Sequence, residues 1–160
     1  MTDAEKLTKA KATYATLCSA LDKDEWHYEK DEEKLTIECS ARGEDLPIDL
    51  VVQVDAGRQL VSLLSKMSFK IKEDNRLDVA VAISYINNML IHGCFDYNIN
   101  TGAIFFRMPN SFVDSTLGEE VFLYMLYCAC KTVDEYNDKI FMLSKGMLSL
   151  EKFLEAETKE

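Results

Sequence analysis

The sequence lacks most of the features that mark an enzyme or a membrane protein. It contains no Gly-x-Ser-x-Gly, no glycine-rich phosphate-binding loop and no His-Glu-x-x-His, which are the motifs that supply a nucleophile, an anion site or a zinc site. No apolar run approaches the roughly 18 residues that a membrane-spanning helix needs. The N-terminus lacks the basic-then-apolar order of a secretion signal. We therefore expect a cytoplasmic protein that is not an enzyme.

Positive charge is also scarce. The chain has 18 Lys and Arg residues against 28 Asp and Glu residues, which gives a net charge of −10. A surface field of this sign repels phosphate backbones and anionic lipid headgroups. The charge balance therefore predicts that neither nucleic acid nor a membrane is a partner.

The cysteines show no pairing pattern. There are five of them, an odd number, and none belongs to a Cys-x-x-Cys motif. Cys128 and Cys130 are two residues apart in a segment that we predict to be helical, so their side chains diverge by about 200° and cannot bind one ion. The sequence thus predicts free thiols in a reducing compartment, with no metal and no other cofactor.

The remaining composition is that of one globular domain. Of the 160 residues, 48% are hydrophobic and 29% are charged, which is typical of a folded chain that buries a single core. We therefore treat residues 1–160 as one domain.

Several segments show the periodicity of regular secondary structure. Apolar residues at intervals of three and four predict an amphipathic helix over residues 4–21. Alternation of apolar and polar residues predicts a hairpin over residues 26–41 and a third strand over residues 48–54. Residues 59–71 fit both a helix and a strand, and the short connection before them favours a strand. A second helix is expected over residues 79–90.

The stretch at residues 92–110 contains a His, a Cys, an Asp and an Arg among several aromatic residues. Its alternation predicts two strands joined by a turn at residues 100–102, with the aromatic side chains in the core. Asp96 and Arg107 are expected on the wetter face, where an ion pair contributes on the order of 0.2–1 kcal/mol. Gly93 is expected to cap the preceding helix.

The last third of the chain is the most regular part. From Phe122 onward apolar residues recur at steps of four and three, which predicts a long helix that packs on the sheet. Gly146 is expected to break it, because glycine costs about 1 kcal/mol in a helix interior. Residues 147–160 are then a candidate additional C-terminal helix, which either docks on the chain itself or covers a partner. Its apolar side chains are candidate protein-binding contacts: Met147, Leu150 and Leu154.

The predicted order of elements is α-β-β-β-(β)-α-β-β-α, an α+β fold in which helices flank an antiparallel sheet. The stretch YINNMLIHGCFDYNINTGAIFFRMPN at residues 85–110 and the stretch LPIDLVVQVDAGRQLVSLLS at residues 46–65 carry a resemblance to a known family. With the final helix, the chain resembles the YbjN-like family of bacterial proteins over about residues 46–145. Members are sometimes labelled sensory transduction regulators, and their fold is similar to that of type III secretion chaperones.

The resemblance implies a binding protein and no chemistry. It implies a small non-catalytic module, chaperone-like or regulatory, that binds a protein or peptide and acts as a homodimer. It supplies no catalytic residue and no cofactor. Two alternatives remain open. One is a small-molecule sensor with an apolar pocket between the sheet and the long helix, and the other is a thiol-dependent enzyme that uses Cys94 with His92 and Asp96.

Overall fold

The computed structural model describes residues 1–158, and within them it has one six-stranded sheet and four α-helices. The order α-β-β-β-(β)-α-β-β-α is confirmed, with a fourth helix after it. Residues 159 and 160 of the predicted C-terminal helix lie outside the described residues. The elements are α1 (Asp3–Lys23), β1 (Tyr28–Asp31), β2 (Thr36–Arg42), β3 (Pro47–Asp55), β4 (Leu60–Lys70), α2 (Arg76–Met89), β5 (Cys94–Asn98), β6 (Ala103–Ser111), α3 (Glu119–Ser144) and α4 (Leu150–Glu157).

The sheet is antiparallel, and its strands lie in the order β1-β2-β3-β4-β6-β5. Every second residue of β3 is buried, and the register places these side chains level with the buried residues of β2 and β4. This is the alternation of a sheet with one covered face and one open face. The inner face therefore holds the core, and the outer face carries mostly polar side chains.

Three helices cover the inner face. The long helix α3 crosses β3, β4 and β6, while α1 lies beside it over β3 and α2 lies on its other side next to β5. Phe95 meets the ring of Phe106 at a centroid distance of 5.2 Å and the ring of Tyr136 at 6.2 Å. Phe95 and Phe106 are buried in the core, as the alternation predicts, and Phe95 joins the sheet to α3. None of the helices in residues 1–158 has the length and apolar character needed to cross a membrane.

The segment that fits both a helix and a strand is strand β4, as predicted. It pairs with β3 from Val51↔Leu64 to Asp55↔Leu60 and with β6 along most of its length. Ladders on both sides satisfy its backbone groups, and this stabilisation depends on partners far away in the sequence. Local spacing therefore could not decide its structure.

Gly146 ends α3, and the chain turns into α4. The N–H of Gly146 bonds to the carbonyl oxygen of Leu143, and the N–H of Met147 bonds to that of Met142 at 2.9 Å. These two bonds, with the positive φ of Gly146, form a Schellman motif. The following helix α4 docks on α2, where Phe153 is buried.

Gly93 does not cap α2 as expected. The helix ends at Met89, and its C-cap residue is Leu90, whose φ of −77° and ψ of 132° are extended. Gly93 lies three residues later with φ +73°, and a Cβ built there would be 2.3 Å from Cζ of Phe106. The position requires glycine because the buried Phe106 ring fills the space of any side chain.

Replacing Gly93 by Ala is expected to destabilise the fold by about 2–5 kcal/mol, because it adds a strained positive φ to an overpacked core. The measurement is the free energy of unfolding in urea, with Gly57→Ala as the control. Gly57 has no positive φ, and its Cβ would lie 3.4 Å from the nearest atom, Oδ1 of Asp55. Equal losses of stability in the two variants would contradict this account of Gly93.

Candidate protein-binding site

A surface groove runs between α1 and the β1–β2 hairpin, with a volume of about 750 Å³. We call it the α1 groove. Seven of its lining residues come from one side of α1, and the other four come from β1 and the turn that follows it. The lining residues are Leu7, Lys11, Tyr14, Ala15, Cys18, Ser19, Asp22, Lys30, Glu32, Glu33 and Leu35.

The floor of the α1 groove is apolar and fixed by hydrogen bonds. Tyr14 is buried, and its hydroxyl donates to the backbone oxygen of Thr36 at 2.9 Å. Burial raises the pKa of Tyr14 to about 12, so the hydroxyl stays protonated and keeps this bond. At one end Tyr28 donates to Asp22 at 2.8 Å, which ties α1 to β1. The floor is therefore a preformed surface.

The lips of the α1 groove carry charges of both signs. Lys11 and Lys30 face the groove together with three carboxylates, and Lys30 pairs with Glu32 at 2.8 Å. In a protein of net charge −10, this is a region where an approaching segment meets both signs. Its apolar floor and mixed rim match the general anatomy of protein interfaces.

The two edges of the sheet differ in how their backbones are covered. At the β5 edge, the carboxamide of Asn87 accepts from the N–H of Phe95 at 2.8 Å and donates to its oxygen at 3.0 Å. Asn87 thus takes the place of a neighbouring strand. Among residues 1–158, no side chain covers β1 in this way, and β1 borders the α1 groove. The edge that is free to accept a strand is therefore the one beside the groove.

Sequence reasoning missed the α1 groove, although α1 gives a signal for it. Its apolar positions form a stripe wider than the buried face of the helix. Ala10, Leu17 and Leu21 are fully buried, whereas Leu7 is exposed and Cys18 is half-buried. The apolar residues outside the buried face line the groove. Which of them stay open is decided by where the hairpin docks on α1.

A second exposed apolar surface lies on the outer side of α2 and the residues after it. Leu77 is 72% exposed, Ile91 is 91% exposed, and Val81 and Met89 are about half exposed. No Asp, Glu, Lys or Arg occurs between Asp78 and Asp96. Depletion of charge around exposed apolar side chains is typical of the core of an interface.

The three predicted contact residues near the C-terminus have different environments. Met147 is 72% exposed in the α3–α4 connection. Leu150 and Leu154 are half-buried on α4 and pack against the core. Phe153 is the buried side chain of α4, and its ring meets that of Tyr85 at 6.3 Å. Only Met147 is fully available to a partner while α4 is docked.

The residues of the thiol-enzyme alternative are only partly brought together. Cys94 lies on the outer face of the sheet, where its thiol donates to Asp96 at 3.7 Å. Arg107 pairs with Asp96 at 2.5 Å, as predicted, and also contacts the Cys94 sulfur at 3.7 Å. His92 instead packs on the ring of Tyr124 on α3 at 5.5 Å, on the helix side of the sheet. The structure therefore assembles no Cys–His pair here.

The electrostatics at Cys94 also disfavour a reactive thiolate. Burial is the largest effect and raises the pKa of the Cys94 thiol, and the carboxylate of Asp96 raises it further. The guanidinium of Arg107 lowers the pKa, but the net shift is upward from the ordinary value of 9.0. A nucleophilic cysteine requires a shift in the opposite direction.

The described residues offer neither a metal cluster nor, where α3 meets β4, room for an organic ligand. Residues 1–158 contain no group of three His, Cys, Asp or Glu side chains that could hold a metal ion. The cavity found where α3 meets β4 has a volume of about 10 Å³, which is too small for an organic ligand. A small-molecule sensor is expected to have its pocket between the sheet and the long helix. The cavity found there is only large enough for a water molecule.

The pH dependence of alkylation at Cys94 is expected to show a pKa above 9.0. Replacing Asp96 by Asn should lower this pKa by removing a negative charge, and replacing Arg107 by Gln should raise it. The measurement is the rate of iodoacetamide modification at Cys94 from pH 6 to pH 11, quantified by peptide mass spectrometry. Fast modification at neutral pH would contradict the assignment of Cys94 as a structural thiol.

No family model and no curated protein matches the sequence, whereas solved structures match its fold. YbjN from E. coli aligns with a TM-score of 0.56 and 12% identity over 79% of this chain and 92% of that chain. A chain of the ExsC–ExsE complex aligns with a TM-score of 0.55 and 12% identity over 78% and 90%. A chain of the HopA1–SchA chaperone–effector complex aligns with a TM-score of 0.53 and 11% identity over 78% and 91%. The expected α+β fold, similar to YbjN and to type III secretion chaperones, is therefore confirmed.

Proposed function

We propose that this protein is a non-catalytic, chaperone-like or regulatory module that binds an extended segment of another polypeptide. The segment lies in the α1 groove and pairs with the free edge of β1. The observation that carries this proposal is the difference between the two sheet edges. At the β5 edge, the carboxamide of Asn87 hydrogen-bonds to the backbone N–H and oxygen of Phe95. The β1 edge is open beside a preformed apolar groove.

The dimensions of the α1 groove suit a short peptide segment. Its lining on α1 extends from Leu7 to Asp22, which is about 22 Å at the helical rise. An extended chain covers that length with about six or seven residues. Main-chain hydrogen bonds to β1 would supply affinity, and alternate side chains would enter the groove and supply specificity.

The solved structures with the same fold support a polypeptide as the partner. Two of them are complexes with a second protein, ExsC with ExsE and HopA1 with SchA, and the latter is a chaperone–effector complex. Fold alone does not determine function. The support for this chain therefore comes from the groove and the open edge together with these precedents.

We further propose that the protein acts as a homodimer through the outer side of α2. Leu77 and Val81 are one helical turn apart and both are exposed, and Ile91 continues the surface. Two copies that each carry a net charge of −10 repel one another at long range. The outer side of α2 has no charged residue between Asp78 and Asp96, so it is a surface where two copies can approach.

Met147 is proposed as an additional partner contact, because it stays exposed next to α4. Leu150 and Leu154 are retained in the proposal with one condition. They contribute to binding only when α4 moves away from the core that half-buries them.

A photoreactive benzoylphenylalanine at Ala15 in the α1 groove should crosslink to a partner polypeptide when the protein is expressed in its own host. The matched control is the same substitution at Ala12, which is also exposed on α1 but does not line the groove. We expect at least a tenfold excess of adduct at Ala15, measured by mass spectrometry of the crosslinked peptides. Equal adducts at both positions, with both variants folded by circular dichroism, would contradict the groove as the binding site.

Replacing Val81 by Glu should convert the homodimer into a monomer, because a two-fold interface would place two like charges close together in an apolar contact. The measurement is sedimentation velocity at micromolar concentration. Val113→Glu is the control, since Val113 is 50% exposed outside α2. The α2 interface would be refuted by a monomeric parent protein or by a Val81→Glu variant that remains dimeric.

A further inference from the structure

Asn137 is a polar residue in an almost fully buried position. It lies on α3 with 1% of its surface exposed, and it shares the helix side that packs against the sheet. Neither its Nδ2 nor its Oδ1 has a hydrogen-bond partner among residues 1–158. Buried carboxamides are almost always hydrogen-bonded, so a group of this kind indicates a partner other than the protein.

Asn87 shows how the same side chain is satisfied elsewhere in the chain. Its Oδ1 accepts from the backbone N–H of Phe95, and its Nδ2 donates to the backbone oxygen of Phe95. Both halves of that carboxamide are therefore paired with protein groups. The contrast shows that the unpaired amide of Asn137 is a feature of its site.

Asn137 lines a small cavity between α3 and β4. Its volume is about 10 Å³. This is the space open to the centre of a water-sized sphere, and a cavity needs roughly 10–15 Å³ of it to hold one water molecule. Size therefore excludes a peptide side chain or an organic ligand and selects a single water. The lining includes Pro47, Ser65, Met67, Phe69 and Val133.

The cavity lies where the strand ladders are interrupted. Pairing between β3 and β4 ends at Val51↔Leu64, and the β4–β6 register shifts between Lys66 and Lys70. The residues between Lys66 and Lys70 have no residue partner in either ladder. A β-bulge of this kind leaves backbone groups that need other partners.

We propose that one buried water molecule is bound at Asn137 and links α3 to the bulge of β4. The water accepts a hydrogen bond from Nδ2 and donates one hydrogen to Oδ1. It donates its second hydrogen to a backbone oxygen of the bulge. The three bonds are the usual number for a buried water, and they satisfy both atoms of the carboxamide.

The test is water–protein nuclear Overhauser spectroscopy on the ¹⁵N-labelled full chain, observing the Nδ2 protons of Asn137. A long-lived water gives cross-peaks of opposite sign in the laboratory-frame and rotating-frame experiments, and we expect this result at Asn137. The Nδ2 protons of Asn87 are the internal control and should show no such peak. In the Asn137→Asp variant the cross-peak should disappear, and this loss assigns it to the Nδ2 protons of Asn137.

Proton exchange through a nearby hydroxyl would imitate a bound water, so Ser65→Ala is the second variant. The cross-peak at Asn137 should persist in it. The proposal is overturned if the peak disappears in Ser65→Ala, or if the wild-type chain gives no long-lived cross-peak. It is also overturned by a coupling across a hydrogen bond from Nδ2 of Asn137 to a protein carbonyl, since the amide would then be paired directly.

Discussion

The packing of α3 across one face of the sheet is the contact on which the rest of the structure depends. Its buried stripe includes Leu126, Val133 and Ile140, and it contacts β3, β4 and β6 from one side. With α3 in the middle, α1 and α2 have places only on either side of it. Each of these helices then lies near a different edge of the sheet, and the opposite face is left open.

This arrangement gives the two sheet edges different surroundings. The chain leaves α2 and enters β5 directly, so Asn87 near the end of α2 can reach the backbone of Phe95. At the other edge, α1 is connected to β1 by a short turn, and Tyr28 holds the two together at one end of the α1 groove. Further along, Tyr14 bonds to the backbone of Thr36 on the floor of the groove, and the α1 groove lies above this contact. The open edge is therefore a consequence of how the helices are attached.

Much of this fold could be predicted from the sequence, because its dominant patterns are local. Period two located the hairpins and placed Asp96 beside Arg107, and the alternating steps of four and three located α3. Features that depend on contacts distant in sequence were missed. Glycine is required at position 93 because the Phe106 ring lies where a Cβ would be. The spacing of residues in the sequence does not indicate that contact. The α1 groove likewise exists only because the hairpin docks on part of the apolar stripe of α1.

The net charge of the chain favours apolar surfaces as the sites of the proposed contacts. At a net charge of −10, long-range electrostatics oppose association with acidic partners and with a second copy. The outer side of α2 contains no charged residue after Asp78, and the α1 groove places Lys11 and Lys30 among three carboxylates. Both surfaces thus weaken the repulsion where contact would occur. The proposed binding at these surfaces would depend on shape, on burial of apolar side chains and on main-chain pairing, and these contributions are less sensitive to salt than paired surface charges.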